Sequence, residues 1–256
     1  MPSSTNLSGR LAVVTGAQQG IGKAVALALA SAGATVLANC LDESLADKLI
    51  QELGQLDTTC DSPHMKHIAD LSDPKQLQTL FTLASKLGGT DILVNNAAIF
   101  PREDFLDVSM AMLSEVLAVN LIAPFVSTQE AAKQMVSHGR GGSIINLTSG
   151  AAYRGSPRAS HYVTSKAGLV GLTRASAQEL AQYAIRVNAI APGLTDTAQP
   201  RIAMSDDELY AAGAMNPIGK IATPGEIANV VKFLASAESS HVTGQVWHVN
   251  GGQYLG

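Results

Sequence analysis

Cysteine is almost missing from this chain: two residues, Cys40 and Cys60, in 256. They could close one bridge at most, which excludes a small scaffold built on disulfides and leads us to expect a reduced, cytoplasmic protein. Aromatic residues make up only 4%, too few for an aromatic-rich binding module. Charged residues are sparse at 15%, and the net charge is −4. The lysines and arginines are scattered with no run of four, so no nucleic-acid partner is expected. The opening MPSSTNLSGR has no apolar run behind a basic start, which reads as neither signal peptide nor anchor. One uncharged run, between Lys23 and Asp42, approaches the length of a membrane span. Gly33 and a change of period divide it into a helix and a strand, so no membrane association is expected. Repeats and Pro/Gly/Ser-rich linkers are also lacking. The chain therefore reads as one domain over 1–256, with residues 1–6 a loose tail.

What is present is an alternation. Apolar strand patterns fall at 11–15, 35–39, 66–69, 92–95, 143–147, 186–190 and 245–249. Between them lie helical patterns at 21–31, 74–86, 110–137, 162–183 and 224–235. The last opens with Thr223-Pro224-Gly225-Glu226, a capping box with proline at the first helical position. Seven strands alternating with helices predict an α/β fold: a Rossmann-like, doubly wound parallel seven-stranded sheet with helices on both faces. Residues 194–219 form one long irregular stretch with a short helix at 206–212. Loops of that length in a compact domain are commonly lids.

Thr15-Gly16-Ala17-Gln18-Gln19-Gly20-Ile21-Gly22 stands where the first strand feeds the first helix. A helix N-terminus at such a turn can hold a pyrophosphate, although tight strand-to-helix turns also need glycine for steric reasons alone. Tyr162 and Lys166 are four apart on a helix and share a face. An ammonium beside a phenol favours the phenolate, so the pair is expected to lower the Tyr162 pKa toward neutrality. Such a phenol could take or supply the proton of a substrate hydroxyl.

These motifs, with Asp70-Leu71 after the third strand, Asn95-Asn96-Ala97-Ala98 at the end of the fourth, Asn120, Ser149 and Pro192-Gly193, resemble the short-chain dehydrogenase/reductase family in register from residue 7 to 252. The resemblance points to the compact branch of 3-oxoacyl-carrier-protein reductases and secondary-alcohol or sugar dehydrogenases. It implies an oxidoreductase that moves a hydride between NAD or NADP and a secondary alcohol or ketone. Tyr162 would be the general acid/base, Ser149 would orient the substrate oxygen, Lys166 would hold the ribose hydroxyls, and Asn120 would support a proton relay. Cofactor contacts would come from Gly16, Gln19, Gly20, Ile21, Gly22, Asn39, Asp70, Leu71, Asn96, Ala97, Tyr162, Lys166, Pro192, Gly193, Thr195 and Thr197. Ala98 departs from the family's glycine, which matters only if the backbone there needs positive φ. Two rival functions are a 3-oxoacyl-carrier-protein reductase and a nucleotide-binding sensor without turnover. The full catalytic set counts against the sensor.

Cys40 takes the place of the carboxylate that selects NAD in the family. No Arg or Lys stands at Gln18, Gln19 or Leu41 to meet a 2′-phosphate, and Asp42 and Glu43 would repel one, so NAD is the expected cofactor. Cys60, His64 and His67 supply only three ligand types in a loop, and no metal site is expected. His161 faces away from its neighbour Tyr162 in an ideal helix. Arg102, Tyr153, Arg154 and Arg158 fall in loops expected to rim the pocket, where they serve either an anionic substrate or solvent alone. The pocket itself should be lined by 149–156, 98–102 and 194–219. Met204, Leu209, Tyr210, Ala211 and Met215 would give the lid a partly apolar face toward a small-molecule substrate. The resemblance further implies a homotetramer, with a dimer as the second alternative, through the helices at 110–137 and 162–183 and the C-terminal strand.

Overall fold

The computed structural model describes residues 5–56, 60 and 62–255. Of the tail expected over 1–6, residues 1–4 lie outside that range. Seven parallel strands form one sheet in the order β3-β2-β1-β4-β5-β6-β7. They are β1 (Leu11–Val14), β2 (Thr35–Cys40), β3 (Met65–Ile68), β4 (Ile92–Asn95), β5 (Gly142–Leu147), β6 (Ile185–Pro192) and β7 (Val246–Val249). The order reverses direction between β1 and β4, which opens a crevice at the C-terminal ends of the strands.

Alternate side chains of each strand enter different cores. In β1, Ala12 and Val14 pack into one cluster with Leu29, Val36, Leu49, Ile145 and Val231. Leu11 and Val13 point the other way, to Leu37, Leu77, Phe81, Met135 and Val187. The first cluster is roofed by α1 (Gly20–Ser31), α2 (Glu43–Gly54) and α9 (Pro224–Ala235). The second is roofed by α3 (Pro74–Lys86), α5 (Ala123–His138) and α7 (Ser160–Leu180). Each fully buried Leu or Phe contributes about 1.5–3 kcal/mol, so the helices on both faces stabilise the sheet.

Three elements differ from the sequence expectation. Helix α2 was not among the expected helices, yet Asp42 caps it through Leu45 N–H and its Ala46, Leu49 and Leu53 are buried. The helix expected over 110–137 is three pieces: α4 (Met110–Leu117), a π turn at Ala118–Ile122, and α5. Pro124 explains the break, because it has no N–H for the carbonyl of residue 120, and the Ala123 N–H reaches back to Ala118 instead. Finally, a short helix α6 (Ala151–Arg154) follows β5. In the lid, α8 runs over Asp206–Ala214, with a Ser205–Glu208 capping box. Among the described residues, the run Met110–His138 is long and apolar enough to cross a membrane by composition alone. It packs against α3 and α7 while Phe125 and Val136 remain exposed.

Candidate active site

The glycine turn is shaped by sterics that can be read atom by atom. Gly16 has φ +62, and a Cβ there would lie 2.9 Å from Ala97 Cα. A Cβ at Gly22 would lie 2.2 Å from the Gly16 carbonyl oxygen and 2.5 Å from Asn96 Nδ2. No side chain fits at either position, and the cradle stays open for a ligand backbone. Asn96 braces it from behind, donating to the Thr15 and Gly16 carbonyls at 2.9 and 3.0 Å. Thr15, which the sequence reading passed over, ties the two loops together: its hydroxyl accepts from Asn96 and Ala97 N–H, both at 3.0 Å.

A cavity of about 700 Å³ runs from this cradle along Asn39, Asp70 and Leu71, with Gln19, Gly20, Ile21 and Ala97 in its wall. A second, of about 440 Å³, adjoins it at Ile21, Asn96, Ala98, Thr197 and Gln199 and holds Ser149, Tyr162, Lys166, Pro192, Gly193 and Thr195. Together they have the size and the glycine cradle that a dinucleotide with a small substrate needs. Ala98 is not among the residues with positive φ, so its methyl is accommodated. The Asn39 Nδ2 donates to the His67 and Ala69 carbonyls at 3.4 and 3.1 Å, so its Oδ1 is the atom left for a ligand hydroxyl. At the same end Gln18 accepts from Leu41 N–H at 2.6 Å, Asp42 is occupied as the α2 cap, and Lys66 is paired with Glu43 and Asp47.

The polar set gathers where β5 and α7 meet. Ser149 follows β5, and its Oγ accepts from Ala151 N–H at 3.1 Å. The Tyr162 phenol, 5% exposed, lines the same cavity as Gln199 and Ser149, whose side chains favour its ionised form. Phe100 meets its ring edge-on at 4.6 Å. Lys166, 3% exposed, donates from Nζ to the Leu147 carbonyl at 2.8 Å, with that nitrogen 5.7 Å from the Tyr162 ring centre. Asn120 sits in the π turn, fully buried, and clasps Ile99 with both ends of its amide at 2.9 Å while reaching Ser165 Oγ at 3.3 Å.

Electrostatics corrects one expectation. Burial pushes the Tyr162 pKa up, and the hydrogen bonds from Gln199 and Ser149 only partly offset it. The Lys166 ammonium is not among the groups that lower it. Instead burial pushes Lys166 itself down to about 7, because no carboxylate stands beside it.

His161 is buried, and its Nε2 donates to the Pro101 carbonyl at 3.1 Å, which pins the loop that carries Phe100. Of the five apolar lid residues expected to face the substrate, Met204 lines the cavity, beside Leu194, Pro200 and Ala203; Leu209 is buried in the protein, while Tyr210 and Met215 are exposed. Gln199, within the 194–219 stretch expected to line the pocket but not singled out there, lines it too, as does Gln253, which sequence reasoning missed.

A family model described as enoyl-(acyl carrier protein) reductase matches residues 16–253. The 3-oxoacyl-[acyl-carrier-protein] reductase FabG of Aquifex aeolicus is 36% identical over 97% of this chain and 98% of its own. The chain belongs to the short-chain dehydrogenase/reductase family. A short-chain type dehydrogenase/reductase from Mycobacterium marinum superposes with a TM-score of 0.89 at 33% identity, covering 98% of each chain. A protein from Beutenbergia cavernae described as an NAD(P)-dependent gluconate 5-dehydrogenase, solved with NADP, gives 0.90 at 37% identity, again over 98% of each chain. As a member of this family, the chain is a nicotinamide-dependent oxidoreductase acting on hydroxyl and keto groups.

Proposed function

We propose that Tyr162 is the proton donor and acceptor of a reversible secondary-alcohol/ketone oxidoreductase, with Ser149, Lys166 and Asn120 as its partners. The observation that carries this is that Ser149, Tyr162 and Lys166 line one cavity, with the Lys166 Nζ buried 5.7 Å from the Tyr162 ring centre. A bound nicotinamide dinucleotide supplies or accepts the hydride. Ser149 and Tyr162 present two hydroxyls to one substrate oxygen, which fixes the carbon that reacts. Tyr162 takes the hydroxyl proton in oxidation and returns it in reduction. Lys166 holds the ribose hydroxyls and favours the ionised phenol once it carries its proton, and Asn120 keeps the π turn and the Ile99 backbone in place for the relay to solvent. Gly16, Gln19, Gly20, Ile21 and Gly22 would cradle the pyrophosphate, Asp70 and Leu71 the adenine, Asn96 and Ala97 the ribose. Pro192, Gly193, Thr195 and Thr197 would meet the nicotinamide end.

NAD is the favoured cofactor, because among the described residues the cations near the adenine end are paired: Lys66 is held by Glu43 and Asp47, and Arg201 by Asp196 and Asp206. Self-association as a homotetramer is supported by the apolar residues exposed on α5 and just beyond α7, Phe125, Val136 and Tyr183. The decisive experiment follows the reduced-nicotinamide absorbance with NADH and NADPH in turn, for wild type and Tyr162→Phe, over a panel of ketones and secondary alcohols. Tyr162→Phe is expected to lose turnover by about 10²–10⁴-fold with cofactor affinity retained. Undiminished turnover in the variant would remove Tyr162 from the reaction.

A further inference from the structure

The substrate cavity is charged with one sign. Among the described residues Arg102, Arg154 and Lys166 line it and no carboxylate does, in a chain whose net charge is −4. Elsewhere Arg10, Arg140, Arg158 and Arg201 each meet an aspartate within 3.1 Å. The two cavity arginines meet only neutral acceptors. Arg102 Nη2 donates to the Pro157 carbonyl at 3.1 Å, and Arg154 Nη2 donates to Gln253 Oε1 at 3.0 Å. A guanidinium carries five N–H donors in a planar fork, so one bond to a neutral amide orients Arg154 and leaves most of its donors and all of its charge available.

Position gives this charge a use. A Cβ on Gly150 would lie 3.8 Å from Arg154 Nη2 and 4.0 Å from its Nε. The guanidinium therefore lies over the residue that directly follows Ser149. One short segment sets both groups, since Ala151 N–H donates to Ser149 Oγ at 3.1 Å and Arg154 N–H returns to the Gly150 carbonyl at 3.3 Å. Arg102 stands 5.8 Å from the Phe100 ring centre, one aromatic ring removed from Tyr162.

We propose that the cavity selects hydroxy and oxo acids, whose carboxylate lies a few bonds from the reacting carbon and docks on the Arg154 fork. This rests on the assignment of Ser149 and Tyr162 to the substrate oxygen. A carboxylate matches the planar fork in two parallel hydrogen bonds, which neutral polyols and ketones cannot form. Gln253 holds the fork in register without neutralising it, and Arg102 adds positive field. A volume of about 440 Å³ suits a compact acid. A carrier-bound thioester places its charge on the phosphate at the far end of the pantetheine arm, away from Gly150. The carboxylate stays ionised throughout, and only the hydroxyl-bearing carbon changes oxidation state.

The test is calorimetric binding of matched pairs. D-gluconate and D-glucitol are titrated into the enzyme saturated with NAD, and acetoacetate and methyl acetoacetate into the enzyme saturated with NADH. In wild type at least one acid should bind about tenfold or more tightly than its neutral partner, and in Arg154→Gln that ratio should fall close to one. Arg154→Lys keeps the charge and loses the fork, so its ratio should fall between the two. Equal affinity of acid and neutral partner in wild type, no binding of either acid, or an acid preference that survives Arg154→Gln overturns the proposal. Turnover assays on the same compounds separate the two layers of argument. Acid binding that depends on Arg154 without hydride transfer to or from any of the four defeats the catalytic assignment and leaves the pocket. Turnover of the neutral compounds with no acid preference does the reverse.

Discussion

Asp91 and Lys166 are both buried charges, each 3% exposed, at opposite ends of the sheet. Asp91 precedes β4 at the N-terminal edge and is surrounded by donors. Leu11 N–H reaches it at 2.9 Å, Arg10 at 3.1 Å and Arg140 at 3.0 Å, with His138 Nε2 at 3.8 Å. Lys166 lies at the C-terminal edge, where its Nζ has the Leu147 carbonyl and no carboxylate. Burial acts on Lys166 without opposition and pushes its pKa down to about 7. A compensated buried charge ties strands together. An uncompensated one changes its protonation near neutral pH, which is the property a proton-handling site needs.

The most damaging way to probe the first half of this contrast is Asp91→Ala. It leaves the buried Leu11 N–H without its acceptor, at a cost of about 1–3 kcal/mol, and returns two half-exposed guanidinium groups to water. Scanning calorimetry should show the melting temperature lower by roughly 5 °C. The kcat of the folded enzyme should be unchanged, because the site is at the other edge. A normal melting temperature would show that the arginines contribute nothing net.

Lys166→Met should behave in the opposite way. Turnover should fall by about 10²–10⁴-fold, while the ligand-free enzyme should gain stability at neutral pH and below. In the unfolded chain a lysine keeps its proton up to about 10.5, but in the fold Lys166 keeps it only to about 7. Between those values the unfolded state binds more protons, so the contribution of this group makes stability rise with pH across that window and is a constant penalty below it. Melting temperatures of wild type and Lys166→Met against pH 6–10 check the sign. Parallel curves would mean that Lys166 is not poised as described.

Much of this contrast was legible in the sequence, and for a physical reason. The glycine turn and the Tyr162–Lys166 spacing are local: contiguous residues on one turn or one helix face set their geometry. Helix α2 was equally open to reading, since Asp42 is a cap and Ala46, Leu49 and Leu53 recur at helical spacing. The π turn was not, because the apolar pattern runs through Ala118–Ile122 without a break and only Pro124 hints at it. Gln199 and Gln253 were out of reach for a different reason. One lies in the lid and the other beyond β7, and tertiary packing alone brings each to the cavity. The expected fall in the Tyr162 pKa failed on the same ground: spacing shows that two side chains share a face, but not how deeply both are buried.

Gln199 offers the smallest and sharpest test of that last point. Its side chain and that of Ser149 are the two groups that draw the Tyr162 pKa down against burial. Removing one of two neutral hydrogen bonds forfeits about 0.5–1.5 kcal/mol of preference for the ionised phenol, which is a shift of about one pH unit or less. In Gln199→Ala the alkaline-rising limb of the oxidation rate should therefore move to higher pH, with a several-fold loss of rate below the limb that narrows as the pH rises through it. Reduction, which uses the protonated phenol, should be affected less. A uniform loss at every pH would assign Gln199 to lid closure rather than to the phenol, and the contrast between a site tuned by hydrogen bonds and an edge clamped by ion pairs would then rest on Ser149 and Lys166 alone.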